Sequence, residues 1–260
     1  MAHMTGYRGE GPMKSGINHG DPITGSHAAG VLMAALRHRR KTGKGMFIDV
    51  SQQESSVALM GPEVLAYQMT GREPERLGNR SSWYAPANSY PCAGEDRWVT
   101  IAVTNNDQWA GLARTMGAPG MAEDPRFATA DKRQENQDEL DAVISEWTVG
   151  QEASEITNQL QNAGVPSGPV LRGPDLLEDR HYTDRGTFVT VDHPQVGPKQ
   201  YPGIPWKMSG TPGTVRWPSP TLGQHNRDVY GELLGLTGTE IDQLEKTGII
   251  GTKPTGSRII

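Results

Sequence analysis

The sequence has a single cysteine, Cys92, so no disulfide can form within the chain and a reducing compartment is expected. No apolar run approaches the roughly 20 residues of a membrane span. Residues 1–8 lack the apolar core of a signal peptide. A cytoplasmic location without a membrane partner is the expectation. Metal-ligand spacing is missing too: seven histidines are scattered singly, with no His-Glu-x-x-His or paired-cysteine pattern, and no metal is expected. There is no Walker-type lysine loop, no dinucleotide fingerprint and no Gly-x-Ser-x-Gly elbow. Nucleophile candidates therefore reduce to carboxylates. The formal net charge is −5, and basic residues are interleaved with acidic ones except at 37–41, which gives nucleic-acid binding no support.

At 260 residues the chain suffices for one large or two ordinary domains. With 32 Gly and 19 Pro it is rich in turns, yet it shows no repeat or low-complexity tract. Its most informative stretch is NHGDPITGSHAAGVLMAALRHRRKTGKGMFIDV at 18–50. Ala28, Val31, Leu32, Ala35 and Leu36 recur at the spacing of a buried helical stripe, and Pro22 suits a first helical position. Asp21 then falls at the N-cap, where unpaired backbone N–H groups and the helix dipole favour an ionised carboxylate. That describes a cap, and equally an anionic nucleophile. Arg37, Arg39, Arg40 and Lys41 followed by Gly43 mark the helix end, and 46–50 reads as a short strand.

A capping box at Ser51 and Glu54 opens a second helix, running to about Met69 with a kink at Pro62. The text at 71–91 is irregular. It is either a linker or a substrate loop, with Gly78, Asn79, Arg80, Trp83 and Tyr84 mixing flexible, hydrogen-bonding and aromatic groups. Further on, 97–103 reads as a strand, Asn105 caps a helix that Gly117 stops, and helices follow at 136–147 and 152–161. An extended piece at 165–170, a brief helix opened by Pro174 and a strand at 187–191 come next. A proline-rich loop then leads to helices at 226–234 and, from a Thr237/Glu240 capping box, to about Lys246. The expected organisation is 1–75 as part of a large domain with the Asp21 helix, 76–89 as loop or linker, 90–195 as a small α+β domain, and 196–260 as a return segment with closing helices.

The run GINHGDPITGSHAAGVLMAALRHRRKTGKGMFIDVSQQE resembles the signature segment of the class III CoA-transferases, which include formyl-CoA and carnitine-CoA transferases. The similarity continues through GNRSSWYAPANSYPC at 78–92, EDPRF at 123–127, AGVPSGPV at 163–170, IPWKMSG at 204–210 and LGQHNRDV at 222–229. Separated motifs in one order make it specific. It implies an α/β fold: a partial Rossmann-like large domain with an inserted α+β small domain, of the interlocked-dimer type. It also implies coenzyme A, carried as acyl-CoA, as substrate. Asp21 would attack the thioester to give an acyl-aspartate anhydride and then an aspartyl-CoA thioester, and the acceptor acid would reverse the sequence.

In the family a glycine-bearing loop covers the acyl-aspartate, and Gly78, Asn79, Arg80 and Trp83 match it as substrate-binding residues. Here the loop departs from the four-glycine version, which points away from formyl or oxalyl substrates. Arg80 either holds an acceptor carboxylate or is solvated at the surface. The fold also carries 2-methylacyl-CoA racemases, but the position of their further acid is here approximately Asn105, which cannot act as a base. A third reading is an inactive fragment or partner subunit. Family members are usually longer, with an N-terminal half that makes most CoA contacts. The resemblance thus implies either a homodimer or a complementary chain that supplies that half, or else a truncated or recombinant piece.

Overall fold

The computed structural model describes residues 2–14 and 16–254. The described residues up to Val170 form one compact unit and those from Leu171 onward another.

The first unit begins with a 3-10 turn, Ala2–Met4, and helix α1, Gly20–Thr42. Gly43 ends α1 as expected, at φ 73°, with its N–H bonded to Arg39 O at 2.8 Å. The start differs from expectation. His19 is the N-cap residue and Asp21 lies inside the first turn, because His19 already follows the helical path: Asp21 N–H donates to Asn18 O (3.3 Å) and Ile23 N–H to His19 O (3.2 Å). The expected buried stripe is not buried. No residue of α1 is fully enclosed, and Val31, Leu32, Met33 and Leu36 are exposed, since no other described element of the chain covers that face. Nor do 46–50 form a strand, for among the described residues none lies beside them as a ladder partner, and Phe47 is 92% exposed.

Ser51 caps α2 (Gln52–Val57) by accepting from the Glu54 N–H at 3.2 Å. The expected kink takes the form of a break: a 3-10 turn at Ala58–Met60 separates α2 from α3 (Gly61–Thr70), with Pro62 in the first turn, where its missing N–H costs nothing.

From Ala85 to Val165 the chain builds its core. Strands β1 (Ala87–Pro91) and β2 (Trp98–Ala102) are followed by α4 (Asn106–Thr115), α5 (Ala130–Glu135), α6 (Gln137–Thr148), α7 (Ala153–Asn162) and β3 (Ser167–Pro169). The sheet is antiparallel with β2 central, pairing Tyr90 with Val99 and Thr100 with Gly168. Alternation turns Val99 and Ile101 inward onto Trp109, Leu112, Leu140, Ile144, Ile156 and Leu160. Each such side chain gains about 1.5–3 kcal/mol by leaving water. Strand β1 falls in the stretch whose sequence is irregular; Asn, Ser and Pro disfavour a strand locally, and pairing with β2 overrides that preference.

One cation lies within this core. Arg133 is 1% exposed. It donates to Ala85 O (2.8 Å), Phe127 O (3.0 Å) and Asn106 Oδ1 (3.2 Å) and stacks 5.4 Å from the Trp109 ring. Burial lowers its pKa, but a guanidinium stays charged at neutral pH.

The second unit contains α8 (Gly173–Glu178), α9 (Arg180–Asp184), a hairpin of β4 (Phe188–His193) and β5 (Gly197–Pro202), a π-helical segment (Asp228–Leu233) and α10 (Gly238–Lys246). Strand β5 lies in the stretch whose prolines, Pro202 among them, predict loop, and it carries Pro198 as well. In a two-stranded hairpin both strands are edges, which is where proline is tolerated. The expected box at Thr237 and Glu240 is complete, with Thr237 N–H donating to Glu240 Oε2 at 2.7 Å.

Candidate functional site

Asp21 opens onto a groove of about 750 Å³ between the start of α1, the start of α2 and the segment that carries Met13, Lys14, Ile17 and Asn18. Its carboxylate is exposed and accepts a hydrogen bond from the Gln52 side-chain amide, the first residue of α2. Gly20 gives Gln52 its berth: a Cβ there would lie 3.1 Å from Gln52 Nε2 and 3.3 Å from Cδ. The helix start thus supplies a carboxylate with one oxygen, Oδ1, held by a neutral donor, while His19, Ser56, Val57 and Met60 line the groove around it.

The loop matching the family's covering loop lies elsewhere. Gly78, Asn79, Arg80 and Trp83 do not line the Asp21 groove. Gly78 has φ +62°, and its N–H donates to Gly6 O at 2.9 Å. A Cβ there would come within 2.7 Å of the Tyr7 ring, so glycine is required on both counts. Asn79 borders a smaller cleft of about 300 Å³ with Tyr7 and Asn88, and Trp83 is 85% exposed.

The Arg80 guanidinium is taken up by carboxylates of α6. It bonds Asp141 through Nε (2.9 Å) and a terminal nitrogen (2.7 Å), and Asp138 at 2.6 Å. Burial works against its charge, but the bonds to Asp138 and Asp141 outweigh that and raise its pKa. Asp141 also accepts from Tyr90 Oη (2.7 Å) and Asn88 Nδ2 (3.0 Å). Tyr90 is held protonated: burial, then the Asp141 charge and hydrogen bond, push its pKa far up.

Neither Asp141 nor Gln52 was found by sequence reasoning. Gln52 read only as a helix start. Asp141 carried a signal, for it falls on the buried stripe Gln137, Leu140, Asp141, Ile144, Thr148. An acid on a buried stripe needs donors, and these had to come from elsewhere in the chain.

Two further residues are accounted for by their surroundings. The buried Cys92 thiol is pushed up by burial and then by the nearby Glu152, the opposite of what a nucleophilic thiol needs. Asn105 serves as the cap of α4, its side chain accepting from the Gln108 N–H at 2.9 Å. Among the described residues no helix is long and apolar enough to cross a membrane.

Comparison with known proteins gives the family. Residues 1–226 match the model of CoA-transferase family III. The chain is 36% identical over 247 residues to the succinyl-CoA–D-citramalate CoA-transferase of Chloroflexus aurantiacus, covering 95% of this chain and 61% of that protein. It is 32% identical over 261 residues to the formyl-CoA:oxalate CoA-transferase of Streptomyces avermitilis, covering 95% and 63%. The chain therefore spans a little over three-fifths of the length of these relatives. Among solved structures, a CAIB/BAIF family protein from Brucella suis superposes with a TM-score of 0.76 at 28% identity, over 89% of this chain and 60% of that one. The mixed helix-and-sheet fold is accordingly the α/β fold of these transferases. With a match that runs through both units and relatives above 30% identity, the chain belongs to CoA-transferase family III.

Proposed function

We propose that this protein moves coenzyme A between an acyl-CoA and a free carboxylic acid, with Asp21 as the nucleophile. The observation that carries the reading is the Asp21 carboxylate itself, at a helix start, facing an open groove, within the segment that matches the family. One carboxylate oxygen attacks the thioester carbonyl, the C–S bond breaks, and an acyl-aspartate anhydride and CoA thiolate result. The thiolate then attacks the aspartyl carbonyl and releases the donor acid, leaving an aspartyl-CoA thioester. The acceptor carboxylate runs both steps backwards, so atoms and charge balance without an oxidant or metal.

Gln52 holds Oδ1 and leaves the other oxygen to attack. The positive end of the α1 dipole favours the carboxylate at the moment of attack. Gly78, Asn79 and Trp83 are assigned to the substrate loop; as they lie away from this chain's own Asp21 groove, the loop that keeps water from the anhydride is taken to come from a second copy of the chain. Succinyl-CoA is the donor to test first, because it appears in the names of the relatives acting on D-citramalate, L-malate and glutarate. The protein is proposed to work as a dimer or with a complementary chain, one similar relative being named an alpha subunit.

The test is hydroxylamine trapping during turnover with succinyl-CoA and an acceptor acid. Asp21 should appear as the hydroxamate by peptide mass spectrometry. Asp21→Asn should lower transfer by at least about a thousandfold, as loss of a covalent nucleophile does. An unmodified Asp21 in turning-over enzyme would falsify the covalent route.

A further inference from the structure

Resting on the reading of 78–83 as the loop that keeps water from the acyl-aspartate, we infer that Asp141 is a positioning residue that latches this loop to helix α6 through Arg80. Asp141 is 9% exposed on the inner side of α6 and gathers three segments: its own helix, β1 through Asn88 and Tyr90, and the loop through Arg80. The guanidinium fork spans Asp138 and Asp141, one turn apart, at 2.6 and 2.7 Å. Gln134 adds a bond to Ser81 O at 3.2 Å, and upstream Gly78 is tied to Gly6. Asn79 is therefore strung between two anchors, and the exposed Trp83 is presented three residues beyond the latch.

This geometry argues against Arg80 as a ligand for an acceptor carboxylate. To turn toward substrate it would have to leave Asp141, a mostly buried carboxylate whose other partners are the neutral Tyr90 and Asn88. Losing a charge-assisted pair of this kind costs about ten- to a hundredfold in an equilibrium. Asp138, whose side chain is 90% exposed, is too well solvated to hold the loop alone.

The discriminating experiment compares Arg80→Met and Asp141→Asn. Hydrogen exchange of the purified chain without substrate should show amides 79–82 opening about tenfold or more faster in both variants, with amides 99–101 and 156–160 unchanged. In the transferring enzyme both variants should divert several-fold more acyl-CoA to hydrolysis, with the acceptor KM within about twofold of the parent, and Arg80→Lys should restore part of the loss. Arg80→Met leaves Asp141 its two neutral donors, so it isolates the latch from the core. Unchanged loop exchange in Arg80→Met overturns the proposal. So does core opening in that variant, or a large rise in acceptor KM confined to the Arg80 variants. If the parent transfers no CoA, the functional reading falls while the exchange arm still decides the latch.

Discussion

Tyr90 makes the sharpest single-residue case for how burial and charge combine. Its hydroxyl is enclosed and donates to Asp141, and both circumstances oppose ionisation, so its pKa lies well above the usual tyrosine value. The folded state therefore keeps a proton that the unfolded chain gives up near pH 10. Stability from this group is complete below that pH and is lost as pH rises above it. Urea unfolding from pH 8 to 10.5 should show falling stability, with a shallower fall in Tyr90→Phe. At pH 7 the same substitution should cost about 1–3 kcal/mol, because Asp141 loses a donor in a buried place. An identical pH slope in the two proteins would rule out Tyr90 as the source.

At the scale of elements, helix α4 shows where packing overrules propensity. Alanine normally improves on glycine in a helix by about 1 kcal/mol. At Gly111, however, a Cβ would sit 2.8 Å from the Ala163 carbonyl oxygen and 3.1 Å from Val165 Cγ2, at the end of α7. Backbone cannot step aside as a side chain can, and overpacking of this kind costs about 1–3 kcal/mol. Gly111→Ala should thus lower the thermal midpoint in calorimetry, whereas the same change at Gly150, with nothing within 4 Å, should be much milder.

Elements also divide into those that were legible in the sequence and those that were not. Helix ends were legible where a side chain or glycine satisfies the backbone locally: the Asn105 cap, the Thr237–Glu240 box and the Gly43 stop all depend on neighbours within four residues. Strands β1 and β5 depend on partners ten or so residues away, and their own Asn, Ser and Pro content hid them. The expected strand at 46–50 failed for the converse reason, having strand-like residues but no partner among the described ones. Asp21 was singled out correctly as a carboxylate at a helix start, yet its capping role was not met, because His19 already follows the helical path. The donors around Asp141 come from 51 to 61 residues away in sequence and were beyond any local reading.

For the whole molecule, the distribution of buried surface matters more than its amount. The large hydrophobic cluster lies between Tyr90 and Val165, while α1, 23 residues long, encloses none of its side chains. Two parts so unequally supported will not melt together. Scanning calorimetry should resolve a low-temperature transition for the helices at 20–70 above which near-UV signals from Trp109 and Tyr90 persist; one symmetric endotherm with equal calorimetric and van't Hoff enthalpies would refute this. A single midpoint temperature would then misstate this protein's durability, since the Asp21 groove would be lost while most of the ordered core still stood.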